Sequence, residues 1–273
     1  MLPKITFSTL ACPAWSVETV IANARAYGYD GLEWRGGDAG HINPKASAQE
    51  RASLRGQMQD AGLICAAFTG YTRLVSDDPA ERAATVDEMK RNLDLAADIG
   101  APYVRTFVGE FPPQYTHAEM YPRILEILQQ CVEHAHQTGV GIAIEHHDAW
   151  VRSATIVPIL AELPASAVGA VWDFANAYSM REMPDEGINN LRGRIFYTHV
   201  KDGTGHEKQW RLTNVGTGDV PLRRALQLLH EQNYMGALNV EWEYAWHPEL
   251  EPPEVALPQA LEYLRGLVKE IYE

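Results

Sequence analysis

Four apolar runs in the second half of the chain each stop at a charged or metal-capable side chain. Ile142-Ala143-Ile144 runs into Glu145, Val168 to Trp172 into Asp173, Ile195 to Thr198 into His199, and Ala237 to Val240 into Glu241. An uninterrupted apolar run of this length reads as a strand covered on both faces, the pattern of a parallel sheet. An ionised acid at its end belongs at the rim, because an unpaired carboxylate is costly away from water. The chain must therefore build a covered parallel sheet whose strand ends collect polar groups.

The rest of the chain repeats the same unit. Strands are expected at Ile5–Leu10, Leu32–Arg35, Leu63–Phe68, Tyr103–Val108, from Gly141 into Glu145, and at Val168–Phe174, Ile195–Lys201 and Gly236–Glu243. Helical periods fall between them at Val17–Tyr27, Ala48–Ala61, Pro79–Ile99, Ala118–Thr138, Ile156–Leu163, a short helix near Ile188, Val220–Gln232 and Pro258–Ile271. Ser16 is placed to cap the first of these. Right-handed βαβ units of this number close into a (β/α)8 barrel, a TIM barrel, read here as a single domain over residues 1–273. A doubly wound open sheet is the competing arrangement, but no GxGxxG follows the first strand, and Gly216-Thr217-Gly218 lacks the third glycine of that fingerprint.

Composition narrows the partners. A formal net charge of −13 argues against nucleic acid and favours a cation. The cysteines, Cys12, Cys65 and Cys131, have no CxxC spacing and read as reduced thiols of a cytoplasmic protein. No apolar run approaches the roughly 20 residues of a membrane span, and the first residues show no signal-peptide core.

In a barrel of this kind chemistry gathers at the carboxyl ends of the strands. Glu145, Asp173, His199 and Glu241 end four consecutive strands, five to eight. Taken singly, each reads as a cap on a neighbouring helix. In register on successive strands, they read as one ligand set. Three crowded carboxylates repel one another unless a cation sits among them. An O₃N set suits Mn²⁺, with Mg²⁺ or Co²⁺ possible, better than the thiolate-rich or His-rich sites of structural zinc. Side-chain alternation adds His147 to the face of Glu145, Lys201 to that of His199 and Glu243 to that of Glu241, while His146 points away as a packing histidine. Glu33 and Arg35 share a face of the second strand, and Arg105 lies mid-strand in the fourth. Either Glu33 forms an ion pair in the barrel with Arg35 or Arg105, or these groups bond substrate hydroxyls. Of the tryptophans Trp15, Trp34, Trp150, Trp172, Trp210, Trp242 and Trp246, at most two are expected as walls of a sugar-sized pocket; the rest read as core.

Several motifs, in order, resemble the xylose-isomerase-like TIM barrels of the sugar phosphate isomerase/epimerase superfamily. They are Gly28-Tyr29-Asp30-Gly31-Leu32-Glu33-Trp34-Arg35, Ile144-Glu145-His146-His147, Trp172-Asp173-Phe174-Ala175-Asn176, His199-Val200-Lys201-Asp202, Gly216-Thr217-Gly218-Asp219-Val220 and Gly236 to Glu241. The resemblance implies one divalent metal held by Glu145, Asp173, His199 and Glu241, with Glu145 and Glu241 also moving protons. It departs from the abasic-site endonucleases of that superfamily. Asn176 stands where their pattern wants a histidine, and Trp210-Arg211-Leu212 where it wants Asp-x-His.

The implied reaction is isomerisation or epimerisation of a ketose or sugar phosphate through a metal-stabilised enediolate, with Glu145 and Glu241 as acid and base. Glu33, Arg35, His147, Lys201 and Arg211 are the expected substrate contacts, Arg211 on a loop able to close over the site. A lyase acting on keto-sugars or inososes is the alternative, with His147 protonating a leaving group. A non-catalytic sugar-binding barrel would need no metal. Barrels of this kind commonly pair, so a homodimer is possible.

Overall fold

The computed structural model describes residues 2–111 and 113–273. Eight parallel strands close into a barrel. They are β1 Lys4–Ser8, β2 Gly31–Arg35, β3 Ile64–Arg73, β4 Tyr103–Phe107, β5 Gly141–Glu145, β6 Val168–Asp173, β7 Ile195–Val200 and, after a two-stranded insertion, β10 Ala237–Val240. The insertion pairs β8 Asp202–Thr204 with β9 Arg211–Thr213 in antiparallel register. β1 pairs with β2 on one side and β10 on the other, so the sheet has no open edge. Closure removes the unpaired backbone groups that an open sheet would leave at its margins.

Helices α1 Val17–Tyr27, α2 Ala48–Asp60, α3 Pro79–Ile99, α4 His117–Thr138 and α5 Ser153–Ala161 alternate with the first strands. α6 Phe174–Ser179, α7 Pro184–Asn190, α8 Leu222–Glu231 and α9 Pro253–Tyr272 follow. Local chemistry sets their ends. Ser16 accepts a hydrogen bond from the Thr19 amide at the start of α1. Ser47 with Glu50, and Thr116 with Glu119, form capping boxes at α2 and α4. α9 begins five residues before its expected start at Pro258. Pro253 occupies its first turn, where a missing amide hydrogen costs nothing.

The main core lies between strands and helices and takes in Phe7, Leu32, Val104, Ile142, Ile144, Trp172 and Leu264, all fully buried. A second, smaller cluster of Ala67, Ala143, Val171 and Tyr197 sits on the other face of the strands. Residues two positions further along β5, β6 and β7 are Glu145, Asp173 and His199. By the two-residue period of a strand, they form the next layer up inside the barrel. The apolar layer is thus a floor on which the polar layer rests.

Further features depart from the sequence expectation. β1 stops at Ser8 and continues as a 3₁₀ turn, Thr9–Ala11. β3 runs on to Arg73, with an irregular register against β4 between Thr69 and Arg73. The segment after Asp173, expected to remain strand through Phe174, turns at once into α6. The charged, Gly-rich stretch after Lys201, expected as a loop, carries the β8–β9 hairpin.

Candidate metal centre and the cleft above it

Register delivers the four strand-end groups to one level. Asp173 on β6 lies opposite His199 on β7, and Asn239 on β10 lies opposite His199 from the other side. Glu145 closes β5, and Glu241 follows β10 directly. One donor atom from each of Glu145, Asp173, His199 and Glu241 lies within 4.8 Å of the others, and all four residues are buried.

Each carboxylate in this group has one oxygen spoken for by the protein. Glu145 Oε2 takes an ion pair from Arg105, while its Oε1 faces His199 Nδ1 at 3.1 Å. Glu241 Oε2 receives Lys201 Nζ at 2.7 Å, and its Oε1 lies 3.2 Å from His199 Nδ1. Asp173 Oδ1 accepts the Asn176 amide, capping α6. Its Oδ2 is buried, lies 3.0 Å from Lys201 Nζ and has no partner of hydrogen-bond geometry. An orphaned, buried carboxylate oxygen among two further acids and an imidazole is a donor set that fits a divalent cation. Lys201 also reaches Glu243 Oε1 at 2.6 Å.

His199 is held from behind. Its Nε2 donates to Glu33 Oε2 at 2.9 Å, which turns Nδ1 toward Glu145 and Glu241. Glu33 in turn receives Thr69 Oγ1 and the Asn239 amide nitrogen at 2.8 Å. The ion pair expected between Glu33 and Arg35 or Arg105 is not formed. Arg35 instead donates to Tyr71 Oη and the Ala39 carbonyl and lies 4.6 Å over the Trp246 ring. Arg105 pairs with Glu145, its neighbour on the adjacent strand. The β4–β5 register places Arg105 beside Glu145, whereas closure of the barrel sets Glu33 facing His199 across the interior, a pairing that strand order alone does not reveal.

The electrostatics follow from crowding under burial. Burial raises the Asp173 carboxyl to about 6, and repulsion from Glu145 and Glu241 adds to the rise, with Lys201 opposing. Burial pushes Glu145 the same way, but Arg105 and His199 outweigh it and hold the carboxyl well below its ordinary range. Glu241 is also held low, by His199 and Lys201 against burial. Burial opposes the charge on His199 and Lys201, yet the surrounding acids raise both well above their usual values. Arg105, His199 and Lys201 offset part of the negative charge that the acids of the cluster bring together.

His146, expected to face away, does so. It is fully buried, its Nδ1 donates to the Val151 carbonyl at 2.8 Å, and its Nε2 accepts the Asp173 amide at 3.1 Å. Burial lowers its pKa to about 4, so it stays neutral. It therefore fixes the backbone of Asp173 without adding charge.

A cavity of about 420 Å³ opens above the cluster, walled by Tyr71, Arg105, Phe107, His147, Glu241 and Trp246 among others. His147 pairs with Asp148 Oδ1 at 2.8 Å and packs against Phe107. Burial works against its charge, but its hydrogen bond to the Asp148 carboxylate and the charge of Glu145 raise its pKa overall. A second cavity, of about 520 Å³, holds Arg211 together with Asn176 and Trp210. Arg211 is exposed there, donating to the Lys208 and Trp210 carbonyls.

Two features carried no readable signal. One is Arg105 as the partner of Glu145. The other is Asp202, whose buried carboxylate accepts the amides of Gly203, Gly216, Gly218 and Val220. A Cβ on Gly218 would stand 2.3 Å from Asp202 Oδ1, so only glycine lets that loop wrap the acid. The Gly216–Gly218 turn thus cradles the protein's own carboxylate and ties the β8–β9 hairpin down, so Arg211 sits on an anchored segment.

A family model described as the xylose isomerase-like TIM barrel matches residues 21–267. Among curated proteins, the uncharacterized protein YihM of Escherichia coli strain K12 is 27% identical over 194 residues, covering 65% of this chain. The chain spans about half of that relative's length, 54%. Among solved structures, an IOLI protein with a bound zinc atom superposes with a TM-score of 0.83 at 17% identity, covering 98% of this chain and 99% of that one. An L-ribulose 3-epimerase superposes with a TM-score of 0.82 at 17% identity, covering 99% and 96%. At that identity the superpositions speak for the fold.

Proposed function

Because the chain belongs to the xylose isomerase-like TIM barrel family, we propose that its 273 residues form one catalytic domain that isomerises or epimerises a small sugar with the help of one divalent ion. The observation that carries this reading is the convergence of Glu145, Asp173, His199 and Glu241 within 4.8 Å beneath a sugar-sized cavity. Glu145, Asp173, His199 and Glu241 would hold the ion, with Mn²⁺ favoured by the oxygen-rich set and Mg²⁺ or Co²⁺ as alternatives. Bound there, the ion supplies Lewis-acid polarisation of a hydroxy-carbonyl unit.

The protein's own groups do the rest. Glu241 lines the cavity and is 6% exposed, whereas Glu145 lies deeper, its Oε2 paired with Arg105 and its Oε1 facing the centre of the cluster. Glu241 is therefore assigned the first proton abstraction, alpha to the carbonyl, and Glu145 the return of a proton on the neighbouring carbon or opposite face. Lys201, in contact with Glu241, keeps that carboxylate charged and so available as a base. Arg105 faces the cavity and can donate to a developing oxyanion, a contact that strengthens in a water-poor site. Arg35 and Trp246 form a stacked wall over the mouth. Glu33, with its oxygens taken by Thr69, Asn239 and His199, is assigned to orienting His199 rather than to the sugar contact expected of it. The free cysteines support a reducing compartment, and no helix among the described residues is long and apolar enough to cross a membrane.

Solvent-deuterium exchange at the alpha carbon of ketoses tests the assignment. Manganese-loaded wild type exchanges, and Glu241→Gln and Glu145→Gln each lower the rate by about 10²–10⁴-fold, the range of a lost acid–base group. Exchange that persists in both variants, or after chelation, contradicts it.

One observation favours a second reading. His147 sits at the cavity beside Glu145 with a pKa raised by Asp148, and so can carry a proton to a leaving group. With such a group beta to the carbonyl, the same abstraction ends in elimination. Appearance of an ultraviolet-absorbing enone from 3-keto sugars or inososes identifies that outcome.

A further inference from the structure

We propose that the substrate carries two rings, a keto-sugar over the ion cluster joined by a glycosidic oxygen to a second, uncharged ring lying beneath the β8–β9 hairpin. This rests on the reading of the cluster as the place of chemistry. The two cavities of about 420 and 520 Å³ share three walls, His147, Glu243 and His247, so they adjoin as lobes of one cleft. Each lobe alone falls within the roughly 300–1,000 Å³ of an ordinary small-molecule site. A single sugar ring occupies the inner lobe and leaves the outer one unused.

The outer lobe has the chemistry of a ring site. Trp210, Leu212 and Leu250 give it apolar surface. Asn176 lines it and has a buried side-chain nitrogen, Nδ2, without a hydrogen-bond partner. A buried donor left unpaired carries a free-energy cost that a ligand oxygen would remove. Asn176 follows Asp173 by three residues, in the first turn of α6, so this donor lies at the junction of the cluster and the outer lobe. A bridging glycosidic oxygen, or a hydroxyl next to it, would meet it there. The lobe also carries Glu243 and Glu249 beside Arg211. Mixed charge of this kind disfavours a phosphate tail and suits a neutral ring. The wall is not a loose flap, because four backbone amides hold Asp202 at the base of the hairpin. A glycosidic bond occupies C1 of the first sugar, so its carbonyl lies at another ring carbon, with hydroxyl-bearing neighbours on which the exchange acts.

The test uses the manganese-loaded full chain and four probes: 3-keto-glucose, its phenyl glycoside, its disaccharide with glucose, and its 6-phosphate. Alpha-proton exchange gives kcat/KM for each, and saturation-transfer NMR shows which ring protons touch the protein. The phenyl glycoside or the disaccharide is expected to exceed 3-keto-glucose in kcat/KM by at least tenfold, with saturation on its second ring; which of the two does so identifies the ring. Leu250→Trp, or Leu212→Trp should the first not fold, fills the outer lobe and lowers the two-ring to one-ring ratio at least tenfold. Saturation confined to the keto ring, a ratio unmoved by either tryptophan, or a preference for the 6-phosphate overturns the proposal. If the second ring is saturated and no probe exchanges, the two-ring site stands and the proposed reaction falls.

Discussion

Glu33 supports the candidate ion site without being one of its four donors. Its carboxylate accepts His199 Nε2–H and so presents Nδ1 to the ion cluster. Such carboxylate–histidine pairs orient ligands, and their loss typically lowers metal affinity 10–100-fold. Glu33→Gln is expected to weaken Mn²⁺ binding by that factor once the pH is high enough that affinity has stopped rising in both proteins, read by calorimetric titration; unchanged affinity there would deny Glu33 this part. The same residue sets a pH dependence. To serve as the proposed ligand His199 would have to lose its proton, and its pKa is raised by Glu241, Glu33 and Glu145 against burial. Affinity therefore increases with pH until that raised pKa is passed. Removing Glu33 removes one of the raising charges, so the same increase occurs at lower pH in the variant. The ends of the apolar runs singled out Glu145, Asp173, His199 and Glu241 in the sequence, and strand alternation added His147 and Lys201 as candidates. Alternation could not find that Arg105 pairs with Glu145, or Glu33 with His199, because the first depends on the exact β4–β5 register and the second on closure of the barrel.

At the scale of elements, the insertion between β7 and α8 separates this barrel from a bare repeat of strand and helix. Its sequence reads as a loop because the strands are only three residues each and carry no alternating apolar pattern. What orders it is Asp202, a single carboxylate accepting four amides drawn from 203 to 220. α6 was hidden for a related reason: Asp173 ends β6 and caps the helix at once, leaving no turn residues to mark a boundary. Asp202→Ala leaves those amides without their acceptor, each loss of this type costing about 1–3 kcal/mol where water cannot substitute. Part of the segment is exposed, so a total of about 2–4 kcal/mol is expected in urea denaturation. A loss below about 1 kcal/mol would mean that the hairpin is not anchored here.

Across the whole molecule, the barrel concentrates acids where a sheet would scatter them. The chain as a whole has a formal net charge of −13, and its interior cluster sets Glu33, Glu145, Asp173, Glu241 and Glu243 against Arg105, Lys201 and His199. Closed parallel topology was legible from the repeat of apolar run and helix. The exact strand ends were not: β1 stops at Ser8, its last paired residue, although the apolar Leu10 and Ala11 lie just beyond it. An ion that binds only the folded barrel stabilises it by about 2.7 kcal/mol at a hundredfold excess over its dissociation constant. The most direct measurement is therefore ion stoichiometry by elemental analysis with a parallel Mn²⁺ titration, in wild type, Asp173→Asn and His199→Gln. One ion per chain in wild type, with affinity lowered at least 10²-fold in both variants, is the predicted result. No ion at any Mn²⁺ concentration, or an ion held equally well by both variants, would contradict the account.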